Sequence, residues 1–290
     1  MQRTYVHEKV FIDTINKAGE KYKTQTKNHK KGTMKDCKTY NTYKKFYDDY
    51  YCPMRRKIEG MTFDENDIES FSDCADELNK YWAELKKFMS KNKISNNAKL
   101  HTNFLEEFSC YFLNGLDKLD EFDIFISDVF AGLKILPSHE IKQITKDVDF
   151  CIGNELIFNK DSDDEMYLRI PAISVEVKTY VDATMLGEIM NSARKIKGAN
   201  PGSKVVLLTW INCFADEHAL EAAYDTSLDE IVVLSEQKRK SGEEAVIEFT
   251  KEGLRDYYSV MRQSLEEVMH EEKVPAKGRL LSYVRHLNKL

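Results

Sequence analysis

Two carboxylates and a lysine stand out in this 290-residue chain because of where they sit. Asp149 lies inside the short apolar run VDFCIG (148–153), and Glu176 and Lys178 lie inside IPAISVEVKTY (170–180). Charged side chains are almost never found in such settings unless they are paired or hold a metal ion. Both runs are β-branched and apolar, which is strand chemistry. Period-two alternation puts Glu176 and Lys178 on one face of their strand, with Val175 and Val177 on the other. The segment between the runs, NKDSDDE, is acidic and turn-like, so Asp149 and Glu176 can approach across a hairpin. The chemistry within reach is metal-assisted phosphodiester cleavage. Mg²⁺ is usually bound by one or two carboxylates plus waters and phosphate, and Asp149, Glu176 and the main-chain carbonyl of Val177 are the candidate ligands. Lys178 would stabilise the pentacovalent phosphate, or help position and deprotonate the attacking water. The competing reading is a salt bridge between Glu176 and Lys178 on a solvated sheet face.

The tripeptide by itself carries nothing, because Glu-x-Lys also occurs at Glu84–Lys86, Glu140–Lys142, Glu236–Lys238 and Glu271–Lys273. Only the copy at Glu176 sits mid-strand between apolar residues, after a strand bearing an aspartate. Asp147, two residues before Asp149, is a rival for the metal, but its neighbours Lys146 and Val148 look like a strand entrance, so Asp149 is preferred. Other residues have the chemistry to touch DNA. Gln237, Lys238, Arg239 and Lys240 follow a strand and offer donors and acceptors for base edges and phosphates, or else form a charged surface turn. Arg194, Lys195 and Lys197 end a predicted helix and fit phosphates, though cations there also favour the helix dipole. Thr179, Tyr180 and Thr184, beside the Glu176 strand, are placed to orient the scissile strand. The histidines, His101 among them, have no metal-ligand spacing.

The elements that must position these groups follow from periodicity. The apolar runs at 148–153, 164–180, 204–210 and 229–235 predict strands, and KVVLLTW (204–210) is continuous enough to be a central strand buried on both faces. A helix spanning about Ala183 to Lys197 separates the second and third, and another follows Glu252. This alternation predicts an α/β core with a mixed central sheet flanked by helices. Upstream, apolar positions from Phe71 to Met89 recur every three to four residues and predict a helix from about Phe63 to Lys93, capped by Asp64 or Asn66. A second helix runs from about Asn103 to Leu116. The boundary falls near residue 98. Residues 1–98 form a mainly helical N-terminal region for DNA contacts or dimerisation, and 99–290 form the catalytic domain.

Composition sets the limits. The chain is 42% hydrophobic and 32% charged, an ordinary globular balance. No stretch approaches the roughly 18 consecutive apolar residues of a membrane helix. No secretory signal is visible, and six scattered cysteines without a CxxC pair predict a cytoplasmic protein lacking disulfides or structural zinc. Cys110 and Cys151 read as small buried hydrophobes. The net charge of -6 argues against nucleic acid, yet residues 1–57 hold 15 Lys/Arg against 6 Asp/Glu. A basic arm on an acidic body can follow phosphates, since local potential outweighs the sum. It can equally be a solvated tail, and its tyrosines Tyr40, Tyr43, Tyr47, Tyr50 and Tyr51 can stack on bases or pack a helix.

Five segments in order, NFLEEFSCYFL (103–113), KDVDFCIG (146–153), RIPAISVEVKTYVDATML (169–186), KVVLLTW (204–210) and LDEIVVLSEQKRK (228–240), resemble a small family of type II restriction endonucleases typified by BbvCI. Its members have a DxDFxIG strand, a VPAxxxExKxYLxxxML strand-to-helix motif, and a later strand ending in a polar, basic loop. The resemblance implies a PD-(D/E)xK nuclease fold with Asp149, Glu176 and Lys178 at its centre, although no proline precedes Asp149. It also implies an active-site carboxylate from the upstream helix, so Glu106 or Glu107 becomes a fourth candidate. With a core stripe at Phe104, Phe108 and Tyr111, Glu107 lies nearer the buried side and is preferred. The implied activity is Mg²⁺-dependent hydrolysis of double-stranded DNA at a short, interrupted, near-palindromic site around a CTNAG-like core. The implied partners are a second subunit, identical or related, and a cognate DNA methyltransferase. The alternatives are a structure-specific repair or recombination nuclease of the same fold, and a non-cleaving DNA-binding protein with a degenerate core.

Overall fold

The computed structural model describes residues 6–27, 34–94, 99–113, 115–116, 119–126, 128–137, 141–158, 166–235 and 248–269. Five helices come first: α1 (Val6–Lys27), α2 (Met34–Phe46), α3 (Cys52–Glu59), α4 (Ser72–Lys91) and α5 (Lys99–Tyr111). Then follow β1 (Asp123–Phe125), β2 (Val129–Ile135), β3 (Ile141–Lys146), β4 (Phe150–Phe158) and β5 (Met166–Val181). The chain closes with α6 (Ala183–Ala199), β6 (Lys204–Asn212), α7 (Asp216–Asp225), β7 (Glu230–Val233) and α8 (Lys251–Met269).

The sheet has the order β1-β4-β5-β6-β7, and β2 and β3 form a separate antiparallel ribbon. β4 and β5 pair antiparallel, as a hairpin dictates, whereas β5, β6 and β7 run parallel and need the crossovers that α6 and α7 supply. This is the mixed sheet that the sequence predicts. Every residue of β6 from Val205 to Ile211 is buried, which explains its unbroken apolar run. The hairpin shifts register between Ile152 and Gly153, where the backbones crowd: a Cβ on Gly153 would lie 2.2 Å from the Ile170 carbonyl oxygen. Only glycine fits that approach.

Helices cover both faces of the sheet. Asp182 caps α6 by accepting the Met185 N–H at 2.9 Å, and the helix buries Leu186, Ile189, Met190, Ala193 and Ile196 against Val205 and Leu207. On the other face Trp210 packs between Trp82 of α4 and Phe249, with ring centroids 4.6 and 4.5 Å away. The α4 stripe at Cys74, Leu78, Trp82, Leu85 and Met89 is buried as its spacing predicts. Its start differs from expectation. A 3-10 turn at Ile68–Phe71 leads into the helix, and Asp67 caps that turn by accepting from Glu69 N–H. Asp64 is already used in the preceding turn, where it accepts from Asn66 N–H at 2.9 Å.

The N-terminal tyrosines face inward more than outward. A π-helical turn at Tyr47–Tyr51 joins α2 to α3 and leaves Tyr51 fully buried, beside Phe11, Tyr47 and Tyr81. α1 packs on α2 and α5. One apolar cluster takes in Phe11, Tyr51 and Trp82 from before residue 98 and Phe104, Val175 and Leu265 from after it. All six cysteines are free, with Cys110 and Cys151 buried. Among the described residues no helix is long and apolar enough to cross a membrane.

Candidate active site

The site forms where one strand of a hairpin runs on past its partner. The β4–β5 ladder reaches Phe150 paired with Val175, and β5 continues to Val181. Backbone groups on that edge of β5 need other partners. Asp149, in the bend just before β4 rather than within the strand, supplies one: its Oδ2 accepts the Val177 N–H at 2.6 Å. The same oxygen accepts from Lys178 Nζ at 3.1 Å, and Glu176 Oε1 lies 2.7 Å from that ammonium. Alternation along β5 therefore gathers Asp149, Glu176 and Lys178 around one point, as their spacing predicts. Their side chains are 26, 22 and 27% exposed, so each is reachable from solvent yet partly desolvated. Asp147 is exposed and lies outside the strands.

The charges in this cluster are strained by one another. Burial, and then the Asp149 charge, push the Glu176 carboxyl above the ordinary carboxylate value, with Lys178 pulling it back. Burial lowers the Lys178 ammonium, but Asp149 and Glu176 outweigh it and hold the lysine charged. A third carboxylate enters from α5. Glu106 is pushed up to about 8, first by burial and then by the Asp149 charge, with Lys178 acting the other way.

Glu107, the carboxylate preferred from the helical stripe, points into a different environment. Successive helix residues project about 100° apart, so Glu106 and Glu107 leave α5 in different directions. The Glu107 carboxylate is buried and accepts from the His7 N–H at 2.6 Å and the Glu8 N–H at 2.8 Å, both in the first turn of α1. It also accepts from the Tyr51 hydroxyl at 2.5 Å and from the Tyr111 hydroxyl. Burial pushes it up to about 7, against the pull of those four donors. Burial on the core stripe points to Glu107; the structure turns that carboxylate onto α1 and two tyrosines, while the charges of Asp149 and Lys178 reach Glu106.

Among the described residues no three His, Cys, Asp or Glu side chains already form a metal-ligating group. The donor set still suits Mg²⁺, a hard cation that takes one or two carboxylates and fills its remaining positions with water and phosphate. Asp149 and Glu176, drawn together around one ammonium, are such a pair.

The expected DNA contacts divide. Tyr180 and Thr184 are exposed beside the Lys178 strand and at the start of α6. Arg194 is engaged elsewhere, with Nε and Nη2 on Asp225 at 3.1 and 2.5 Å. Lys197 likewise reaches Asp229 at 2.7 Å. Gln237, Lys238, Arg239 and Lys240 lie outside the described residues. Sequence reasoning passed over Lys146, the last residue of β3, whose charge lowers the Glu176 carboxyl. Its place three residues before Asp149 was the available signal.

Comparison with known proteins bears on the family and the fold. No match is found among curated protein sequences. A solved structure described as the native BbvCI A2B2 tetramer at low resolution superposes with a TM-score of 0.64 at 20% identity, covering 86% of this chain and 97% of that one. At that identity the likeness speaks for the fold. The family model of the Bpu10I restriction endonuclease matches residues 97–277, which include Glu106, Asp149, Glu176 and Lys178. The chain belongs to the Bpu10I restriction endonuclease family.

Proposed function

We propose that this chain is a type II, Mg²⁺-dependent endonuclease that hydrolyses phosphodiester bonds of double-stranded DNA at a short, interrupted, near-palindromic site. The observation that carries this reading is Lys178 Nζ held between Asp149 and Glu176 at the open edge of β5. Asp149 and Glu176 would hold Mg²⁺, with Glu106 turned toward them from α5. The Val177 carbonyl is a further candidate, since a strand residue directs its N–H and C=O toward the same edge and the Val177 N–H already faces Asp149. Bound there, the cation would neutralise charge developing on the phosphate. Lys178, kept protonated by its two carboxylates, is placed to donate to the pentacovalent phosphate and to position the attacking water. Burial of the cluster strengthens each of these interactions over its value in water.

One such site cuts one strand, so a duplex break takes two subunits, identical or related. The BbvCI assembly is a tetramer of two chain types, which suits a second subunit here. A cognate DNA methyltransferase would protect the host sites. The test is cleavage of long, mixed-sequence DNA in Mg²⁺ by wild type and by Lys178→Ala. Discrete fragments from wild type and intact DNA from the variant are expected. Cleavage that follows junctions or mismatches instead of sequence would make it a repair nuclease. Equal cleavage by both proteins would remove Lys178 from the site.

A further inference from the structure

Among the described residues the β2–β3 ribbon is a two-stranded element apart from the main sheet, and its charge differs from that of the body. The body of the protein is acidic, with net -15 beyond residue 57. The described residues of the ribbon, 129–135 and 141–146, hold three lysines and no carboxylate. Alternation along β3 puts Lys142, Ile144 and Lys146 on one face, and the register sets Lys134 directly opposite Lys142. Like charges directly opposite one another destabilise a strand pair. Lys134 and Lys142 are exposed, and among the described residues none of the three lysines makes an ion pair or hydrogen bond. A cross-strand lysine pair is a surface that an external anion would stabilise.

The ribbon is also aimed. Val129, at its base, is fully buried in the core beneath α6, and Asn200 Nδ2 donates to the Phe130 carbonyl at 2.7 Å. The base is therefore held to the body while the outer part projects into solvent. Lys146, at the base, stands three residues before Asp149, and its charge reaches Glu176. The lysine face thus begins at the active site and leads away from it. From Lys146 to Lys142 the strand covers about 13 Å, on the order of four nucleotide steps along one DNA strand. A two-stranded ribbon also has a cross-section that DNA grooves accept.

We propose that the β2–β3 ribbon is a DNA-backbone contact, with Lys134, Lys142 and Lys146 following the phosphates that flank the scissile bond. The occupant is a duplex polyanion, selected by charge complementarity, and the proposal rests on the nuclease reading above. The contact reads no sequence: it sets register and orientation while base edges are read elsewhere. The apolar side chains Leu133, Ile135 and Ile141 lie on the other face of the ribbon and take no part in it.

The test is equilibrium binding of a fluorescent duplex across a salt series, with Ca²⁺ in place of Mg²⁺ to prevent cleavage. It compares wild type, Lys134→Gln/Lys142→Gln, and a charge-matched control on exposed α4 positions, Lys86→Gln/Lys87→Gln. Both double variants should melt as wild type does, because all four lysines are exposed. The ribbon variant should bind about tenfold more weakly at low salt, by the same factor on cognate and unrelated duplexes. Its slope of log affinity against log salt should fall by about 2, while the control keeps the wild-type slope. Wild-type binding with an unchanged slope in the ribbon variant overturns the proposal and leaves the nuclease reading intact. Equal loss in the control also overturns it, since any two positive charges would then serve. A wild-type protein that neither binds nor cuts DNA overturns both.

Discussion

Glu106 and Glu107 are neighbours on one helix and stand in opposite kinds of cluster. Glu107 has four donors: two tyrosine hydroxyls and the first N–H groups of α1 close around it. Glu106 feels the charges of Asp149 and Glu176, with one lysine shared between those two. Burial raises both carboxyls. In one case the surroundings already satisfy the charge, and in the other they add more of the same sign. A satisfied buried carboxylate holds a fold together, here by fastening α1 and the π-turn to α5. A crowded, unsatisfied group of carboxylates stores repulsion that a cation would relieve.

The contrast is most easily broken at its centre. Lys178→Ala or Glu176→Gln should lower the cleavage rate by about 10²–10³-fold or more, as expected when charge stabilisation of the transition state is removed. Glu176→Gln should leave the melting temperature equal or higher, because it relieves repulsion with Asp149. A variant that unfolds would make this cluster structural after all. Glu107→Ala should do the reverse. It strands four buried donors and should cost about 3 kcal/mol, or roughly 6–10 °C in Tm for a chain of this size. Thermal melts check it, and an unchanged Tm would show that α1 is held by other contacts.

A smaller and more diagnostic effect is the response to pH. The Glu106 carboxyl, ordinarily near 4.5, is raised to about 8. Between those values the unfolded chain releases its proton and the folded chain keeps it, so this group's contribution to metal-free stability falls as pH rises through the window. Mg²⁺ competes with that proton. The Tm gain on adding Mg²⁺ should therefore be larger above pH 8 than well below it, and Glu106→Gln should flatten the difference. Equal gains at both pH values would place Glu106 outside the metal site. The smallest effect belongs to Arg194→Ala. Its pair with Asp225 is half exposed on the arginine side and should contribute little to stability, so Tm should hardly move, with DNA affinity unchanged because the guanidinium is already engaged. A salt-dependent loss of binding would return Arg194 to the DNA surface.

The sheet was legible in the sequence because its signals are local. The runs at 148–153, 170–180 and 204–210 have the alternation or continuous apolarity of the strands they form, and alternation alone puts Glu176 beside Lys178. The ribbon at 129–146 was not legible. Its apolar residues Leu133, Ile135 and Ile141 stay exposed, so no buried face imposes a pattern on the strand. The start of α4 was misplaced for a different reason: Asp64 and Asn66 have cap chemistry, but a 3-10 turn capped by Asp67 intervenes before the helix begins.

By itself, then, the sequence determined the strand and helix periods, the meeting of Asp149 with Glu176 and Lys178, and the resemblance to restriction endonucleases. These follow from residue spacing, and spacing along a strand or hairpin translates directly into position. Tertiary structure alone placed Glu107 among donors from α1 and the π-turn and joined the basic N-terminal helices to the core. Each of these depends on which distant segment supplies a hydrogen-bond donor or a charge. The donors that claim Glu107 come from Tyr51 and from the start of α1, about a hundred residues away in the chain.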